Sequence, residues 1–219
     1  MAERRHPAEQ LPSGATLEDA REKAARCHAC ELWRHATQTV FGAGAAHAEI
    51  VLVGEQPGDQ EDRAGKPFVG PAGRVLEEAL AAAGVDAARV YVTNAVKHFK
   101  WVPRGKRRLH AKPRLSEIQA CEPWLALELS RIRPRVVVCL GTTAARAVLG
   151  RPVTISRHRG TVLPGDLGAA VFVTAHPSSI LRAPDAASRA RGREQLVADL
   201  RVAATEVRRQ PPPRPESKR

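Results

Sequence analysis

Four stretches of the chain carry continuous apolar runs: EIVLVGE at 49–55, RVYVTNAV at 89–96, RVVVCLG at 135–141 and AAVFVTAH at 169–176. Runs of this length, without polar alternation, are expected of strands buried on both faces. Between them the period lengthens to that of a helix. Val75, Leu76, Ala79, Leu80 and Ala83 share one face, and Ile118, Leu125, Leu129 and Ile132 follow a capping box read at Ser116 and Gln119. Thr142 to Leu149 reads as a short third helix, and Asp185 caps another whose apolar positions are Leu196, Leu200, Ala203 and Val207. Four βα units in succession, with no internal repeat, predict an α/β fold. The expected architecture is a three-layer α/β/α sandwich with a central four-stranded parallel sheet.

The ends differ from this pattern. Residues 1–15 lack periodicity, and the tail RRQPPPRPESKR at 208–219 is Pro-rich and basic, so both are expected to be disordered around a single domain at 16–207. The tail would add loose affinity for phosphate.

In a parallel sheet of this kind ligands sit beyond the carboxyl ends of the strands. There the chain places GEQPGDQEDRAGKPFVG, TNAVKHFKWVPRGKRRLHAKP, GTTAA and HPSSILR, in which its unusual residues concentrate. GDQEDRAGKP resembles a P-loop only superficially. Gly58 and Gly65 are too far apart, and Lys66 precedes Pro67 where a magnesium-binding Ser or Thr belongs, which removes the support for nucleotide hydrolysis.

Charge then narrows the partner. Thirty-five Lys and Arg against 23 Asp and Glu leave a net +12, an electrostatic footprint for polyanions, with nucleic acid first among them. No apolar run approaches the ~20 residues of a membrane span and no signal-peptide core is present, so a cytoplasmic protein without membrane contact is expected. In a reducing compartment four cysteines point to metal or redox chemistry more than to disulfides. Cys27 and Cys30 form a C-x2-C pair, which grips a metal or a cluster or is simply a buried pair; Cys139, inside VVVCL, reads as core. Phe68, flanked by Pro and Gly, is either a loop anchor or a platform for a planar base. His110 lies in RGKRRLHAKP, which by composition is a solvated basic loop.

The motifs GEQPGDQEDRAGKPFVGPAGRVL, VYVTNAVKH, CEPWL, VVVCLGTTAA and HPSSILR, taken together and in this order, resemble the uracil-DNA glycosylase superfamily. The likeness runs from about Cys27 to Leu200 and is to the iron-sulfur branch with an N-terminal C-x2-C. Within that branch GEQPG, where family-four enzymes have GEAPG, and the insertion RGKRRLH look like the UdgX group. Members of that group carry KRRIH and become covalently attached to uracil-containing DNA; Leu109 replaces the isoleucine here.

The resemblance implies a set of roles. Family-four enzymes take a third cluster cysteine from TNxVKC; TNAVKH puts His98 there, so Cys27, Cys30, His98 and Cys121 are expected around a [4Fe-4S] cluster. Histidine in place of a thiolate makes such a cluster less negative and raises its potential. Phe68 would stack on flipped uracil, Asn94 would read its Watson–Crick edge, and His176 would stabilise charge on O2. Ser178 and Ser179 would contact phosphate. His110 would attack C1′, with Glu55 orienting it and Gln56 shaping the pocket. Lys106, Arg107 and Arg108 would hold a flexible loop over the sugar by pairing with phosphates, one of the two arginines also fixing the loop through backbone carbonyls. The implied protein is a monomeric, single-turnover uracil-DNA glycosylase of DNA repair, favouring single-stranded DNA. A conventional multiple-turnover glycosylase and a non-catalytic iron-sulfur protein that binds single strands are the alternatives.

Overall fold

The computed structural model describes residues 6–165 and 168–210. In chain order the elements are α1 (Leu17–Ala24), β1 (Ala43–Gly44), β2 (Ile50–Gly54), α2 (Asp59–Ala64), α3 (Pro71–Ala83) and β3 (Val90–Asn94). Then come β4 (Trp101–Arg104), β5 (Arg107–His110), α4 (Leu115–Ile132), β6 (Val136–Leu140) and α5 (Thr142–Leu149). The last are α6 (Ile155–His158), β7 (Ala170–Thr174), α7 (Pro177–Leu181) and α8 (Ala186–Arg209). Each of the four long apolar runs contributes one parallel strand.

The main sheet has five strands in the order β1-β3-β2-β6-β7. β3, β2, β6 and β7 are parallel, as expected, and β1 adds a short antiparallel edge by pairing Ala43 with Val92 and Gly44 with Tyr91. A strand of two residues has no periodicity to read. Gly44 is required there, because a Cβ would lie 2.3 Å from Val90 O and φ is +131°.

Alternation along the strands builds two cores. Ile50, Leu52, Val136, Val138 and Phe172 face α3 and α8 through Leu76, Leu80, Leu196 and Leu200. Val51, Val53, Val137, Cys139 and Val173 face α4 and α5 through Leu125, Leu129, Ala144 and Ala145. Removing either layer would expose side chains worth ~1.5–3 kcal/mol each, so the three layers are interdependent. A third cluster, around the fully buried Trp124, joins α1 and the Cys27 segment to α4. Among the described residues no helix is long and apolar enough to cross a membrane.

Several local expectations are corrected. Residues 6–15 are not featureless: Pro7–Gln10 form a 3-10 turn whose cap is the His6 ring, Nδ1 accepting the Ala8 N–H at 3.1 Å while the ring edge meets Trp124. Helix α4 has its N-cap at Arg114, not at Ser116; Glu117 accepts the Arg114 N–H at 2.6 Å, and Gln119 has no capping role. Helix α8 continues through Arg208 and Arg209, so the expected tail begins later, and residues 211–219 lie outside the described residues. Asp59–Ala64, read as loop, is helical, with the Glu61 carboxylate receiving the Gly58 N–H at 3.1 Å. The stretch around RGKRRLH is an antiparallel hairpin turned at Gly105, where φ is +59°.

Candidate functional site

The strand ends converge on Gly54. A Cβ there would lie 2.3 Å from Asn94 Oδ1 and 2.8 Å from Phe68 Cζ, so both expected base contacts pack directly on its Cα. Only glycine permits that approach. Phe68 itself sits at φ +57°, a left-handed conformation that is strained for an aromatic residue. Its backbone presses on Gly73, where a Cβ would be 1.7 Å from Phe68 O, and Glu61 ties down the far side by accepting the Gly70 N–H at 2.7 Å. These contacts hold the strained residue in place, its ring centroid 6.1 Å from that of His176 with the planes 27° apart.

Asn94 is held from behind by a buried ion pair. Lys97 and Glu128 have side chains 1% and 0% exposed, a burial that is tolerable only with complete pairing. Lys97 Nζ donates to Thr93 Oγ1 at 2.6 Å, to Asn94 O at 2.8 Å and to Glu128 Oε2. Glu128 also accepts from Gly42 N, Tyr91 Oη and Thr93 Oγ1 at 2.9–3.0 Å. Burial and this carboxylate push the Tyr91 phenol up, keeping it a donor. Neither member of the pair was singled out from sequence, where a charge inside TNAVKH or inside α4 reads as solvent-facing.

The hairpin is anchored at three points. Gln56 reaches its base: Nε2 donates to Lys100 O at 3.2 Å and Ala111 O at 3.0 Å, and Oε1 accepts the Lys100 N–H at 3.1 Å. Gln56 therefore grips the backbone on both sides of β4 and β5, a different task from lining the pocket. Arg108 pairs with Asp62 Oδ2 at 2.6 Å and with Asp59 Oδ1 from helix α2, and its guanidinium lies 5.4 Å from Phe99 and 5.6 Å from Trp101 ring centres. These carboxylates take the place of the expected phosphate partner, while a long 3.5 Å bond from Arg108 Nη2 to Asp59 O keeps part of the expected grip on carbonyls. Trp101 Nε1 completes the anchoring by donating to His35 O at 2.8 Å. Lys106 and Arg107 remain exposed at the tip, open to a polyanion.

Register places His110 opposite Trp101, at the end of the hairpin nearest β2. His110 Nε2 lies 3.4 Å from Glu55 Oε1, and 49% of the His110 side chain stays open to solvent. Glu55 Oε2 accepts from the buried Thr143 hydroxyl at the start of α5. Thr143 was visible only as part of GTTAA, a hydroxyl beside a glycine turn, and had no assigned role. The packed side of the His110 ring lowers its pKa from 6.5; Glu55 opposes this and the Arg182 charge reinforces it.

His176 caps α7, its Nδ1 accepting the Ser178 N–H at 3.1 Å and contacting Ser178 Oγ at 2.8 Å. A backbone N–H can only donate, so the neutral ring carries its proton on Nε2. Burial, helped by Arg182 and His110, lowers this pKa to about 4. His176 is thus a neutral donor at ordinary pH. Ser178 supports that tautomer, while Ser179 Oγ donates to His176 O at 2.7 Å; both expected phosphate contacts have their hydroxyls engaged within the loop.

Three thiols gather beside Trp124. Cys27 Sγ accepts from Trp124 Nε1 at 3.2 Å, and Cys121 Sγ accepts the Lys97 N–H at 3.2 Å. Burial raises the Cys30 thiol and pushes Cys121 up to about 12; Cys27 adds to the rise at both, and Lys97 opposes it at Cys121. They therefore lie within one another's field. His98 Nε2 shares a 2.9 Å hydrogen bond with Thr39 Oγ1, and burial lowers the ring pKa to about 4, leaving it neutral. Among the described residues no three His, Cys, Asp or Glu side chains could hold a single metal ion. Cys139 is fully buried in the sheet, as its sequence context indicated.

The family model "Uracil DNA glycosylase superfamily" matches residues 41–201. The type-4 uracil-DNA glycosylase of Archaeoglobus fulgidus is 39% identical over 176 residues, covering 77% of this chain and 85% of that protein. The type-4 uracil-DNA glycosylase of Thermotoga maritima is 38% identical over 167 residues, covering 76% and 83%. That of Pyrobaculum aerophilum is 33% identical over 175 residues, covering 77% and 86%. With the parallel sheet, the side chains gathered at its strand ends and a match over most of its length, the chain belongs to the uracil-DNA glycosylase superfamily.

Proposed function

We propose that the protein excises uracil from DNA and is then joined through His110 to C1′ of the sugar it exposes. The observation that carries this reading is His110 Nε2 facing Glu55 Oε1 at 3.4 Å on a hairpin anchored by Gln56, Arg108 and Trp101. A histidine that merely touched DNA would need no such support.

Uracil enters flipped from a duplex or, at lower cost, from a single strand. Phe68 stacks on it, and the Asn94 amide accepts from N3–H while donating to O4. As the glycosidic bond breaks, the bonding pair leaves with uracil and His176 Nε2–H donates to O2. His110 bonds C1′ through a nitrogen lone pair, and the proton released from the ring passes to Glu55. No good leaving group is regenerated, so each molecule acts once. Lys106 and Arg107, at the hairpin tip, pair with phosphates.

Cys27, Cys30, Cys121 and His98 would hold a [4Fe-4S] cluster. Their fit rests on the three mutually interacting thiols, on the N–H donors from Lys97 and Trp124, and on a neutral His98 that needs only to turn from Thr39. When bound, the cluster would cross-link the N-terminal segment, the loop after β3 and α4, as a structural staple.

The type-4 names of the relatives favour a second reading, a multiple-turnover enzyme in which water attacks C1′ and Glu55 orients it. Incubation with a uracil-containing single strand, followed by a denaturing gel, separates the two. A stable protein–DNA band with at most stoichiometric uracil is expected; excess uracil without a band supports the conventional enzyme, and neither product indicates a non-catalytic binder. In His110→Gly the vacated space admits water, so the band should vanish while uracil release persists. A His110→Gly protein that still crosslinks removes His110 as the nucleophile.

A further inference from the structure

Of the three tryptophans, Trp124 is buried in a core and Trp101 is tied to the hairpin through its Nε1, whereas Trp33 belongs to none of the three apolar clusters. Its ring contacts are with His28 and Arg34. The exposed His28 ring stacks on Trp33 with centroids 4.0 Å apart and planes 25° from parallel, and the Arg34 guanidinium lies 5.3 Å from the Trp33 ring centre. Arg34 also pairs with Glu31, whereas the exposed Arg104, Lys106 and Arg107 on the adjoining hairpin have no ion pair among the described residues.

Position links this pile to the site. His35, two residues after Trp33, accepts the Trp101 indole N–H at 2.8 Å, and Thr37 bonds Arg108 at 3.1 Å. The Trp33 turn therefore docks on the same hairpin that carries His110. A pile of planar rings beside arginines, half-buried at Trp33 and exposed at His28 and Arg34, has the composition of a stacking platform for single strands.

We infer that the His28–Trp33–Arg34 pile is a second nucleic-acid site, which stacks a base of the single strand flanking the uracil while the hairpin tip pairs with its phosphates. The open end of the pile is the exposed His28 ring, backed by Trp33. The inference deepens the uracil-excision reading by naming where the flanking strand lies, and it rests on that reading only for the identity of the strand.

Its test uses DNA without uracil, so that its failure is distinct from failure of the excision chemistry. Full-length protein is titrated with an all-thymine strand and with an abasic strand of the same length, about 15 nucleotides each, with binding followed by anisotropy and by tryptophan fluorescence. Trp33→Ala should weaken binding of the thymine strand about tenfold and leave the abasic strand within about twofold, because only stacking is lost. Trp33→Phe should restore affinity while removing most of the fluorescence quenching. Equal loss on both strands would mean a charged surface or a disturbed fold, and unchanged binding of the thymine strand would mean no platform; either result overturns the inference.

Discussion

The residue that separates this site from a GEAPG-type loop is Gln56, and replacing it by alanine tests the anchoring argument most directly. The substitution removes two donations from Nε2, at 3.2 and 3.0 Å, and one acceptance at Oε1, at 3.1 Å. At ~1 kcal/mol net per neutral hydrogen bond, the hairpin base loses roughly 3 kcal/mol of restraint, and the half-buried Lys100 N–H and Ala111 carbonyl must find water instead. Arg108 and Trp101 still hold the hairpin further out, so only part of this loss reaches His110. Each ~1.4 kcal/mol that does slows adduct formation tenfold, which places the expected drop between about 10- and 100-fold. In the proposed mechanism uracil release depends on Phe68, Asn94 and His176, none of which bonds Gln56, and it should fall far less. Single-turnover quench experiments that score free uracil and the denaturing-gel band from the same sample give both rates. A Gln56→Ala protein that crosslinks at the wild-type rate, or that loses release and crosslinking in equal proportion, refutes the assignment of Gln56 to the hairpin.

Two further outcomes follow from the same geometry. Arg108→Ala leaves Asp62 fully buried without its cation, a situation that costs about 3–5 kcal/mol, so the melting temperature should drop by several degrees and Arg108→Lys should not restore it, lacking the fork that spans Asp59 and Asp62. The pH profile of adduct formation has a definite sign: attack needs the neutral His110 ring, whose pKa is below 6.5 in the folded protein, so the rate should stay level as pH falls from about 8 to 6.5 and decline only beneath that. An inflection above 6.5 would mean that Glu55, rather than burial and Arg182, dominates the ring.

Much of the fold was legible because burial on both faces leaves a local mark. The runs at 49–55, 89–96, 135–141 and 169–176 each became a parallel strand, since a strand covered on two sides has few polar positions. The capping boundary of α4 was misplaced because Ser116 and Arg114 both precede the same apolar face, and only the Glu117 contact distinguishes them. Helix α2 was hidden because DQEDRA is polar on every side; it owes its order to Glu61 accepting the N–H groups of Gly58 and Gly70, and to Asp62 meeting Arg108.

For the site, its place at the strand ends was readable and the partner of each polar group was not. By itself the sequence determined the α/β order, the edge on which function concentrates, and the residues that meet there: Glu55, Phe68, Asn94, His110 and His176. Tertiary structure alone decided what the remaining polar residues do. Arg108 turned from phosphate to Asp59 and Asp62, Gln56 from the pocket to the hairpin backbone, Ser178 toward His176, and Thr143 toward Glu55. The reason is the range of the forces involved. Apolar burial is set by a pattern repeated along the chain, whereas a hydrogen bond depends on one partner at about 3 Å, which for Gln56 and Thr143 is brought there by a segment 44 to 88 positions away.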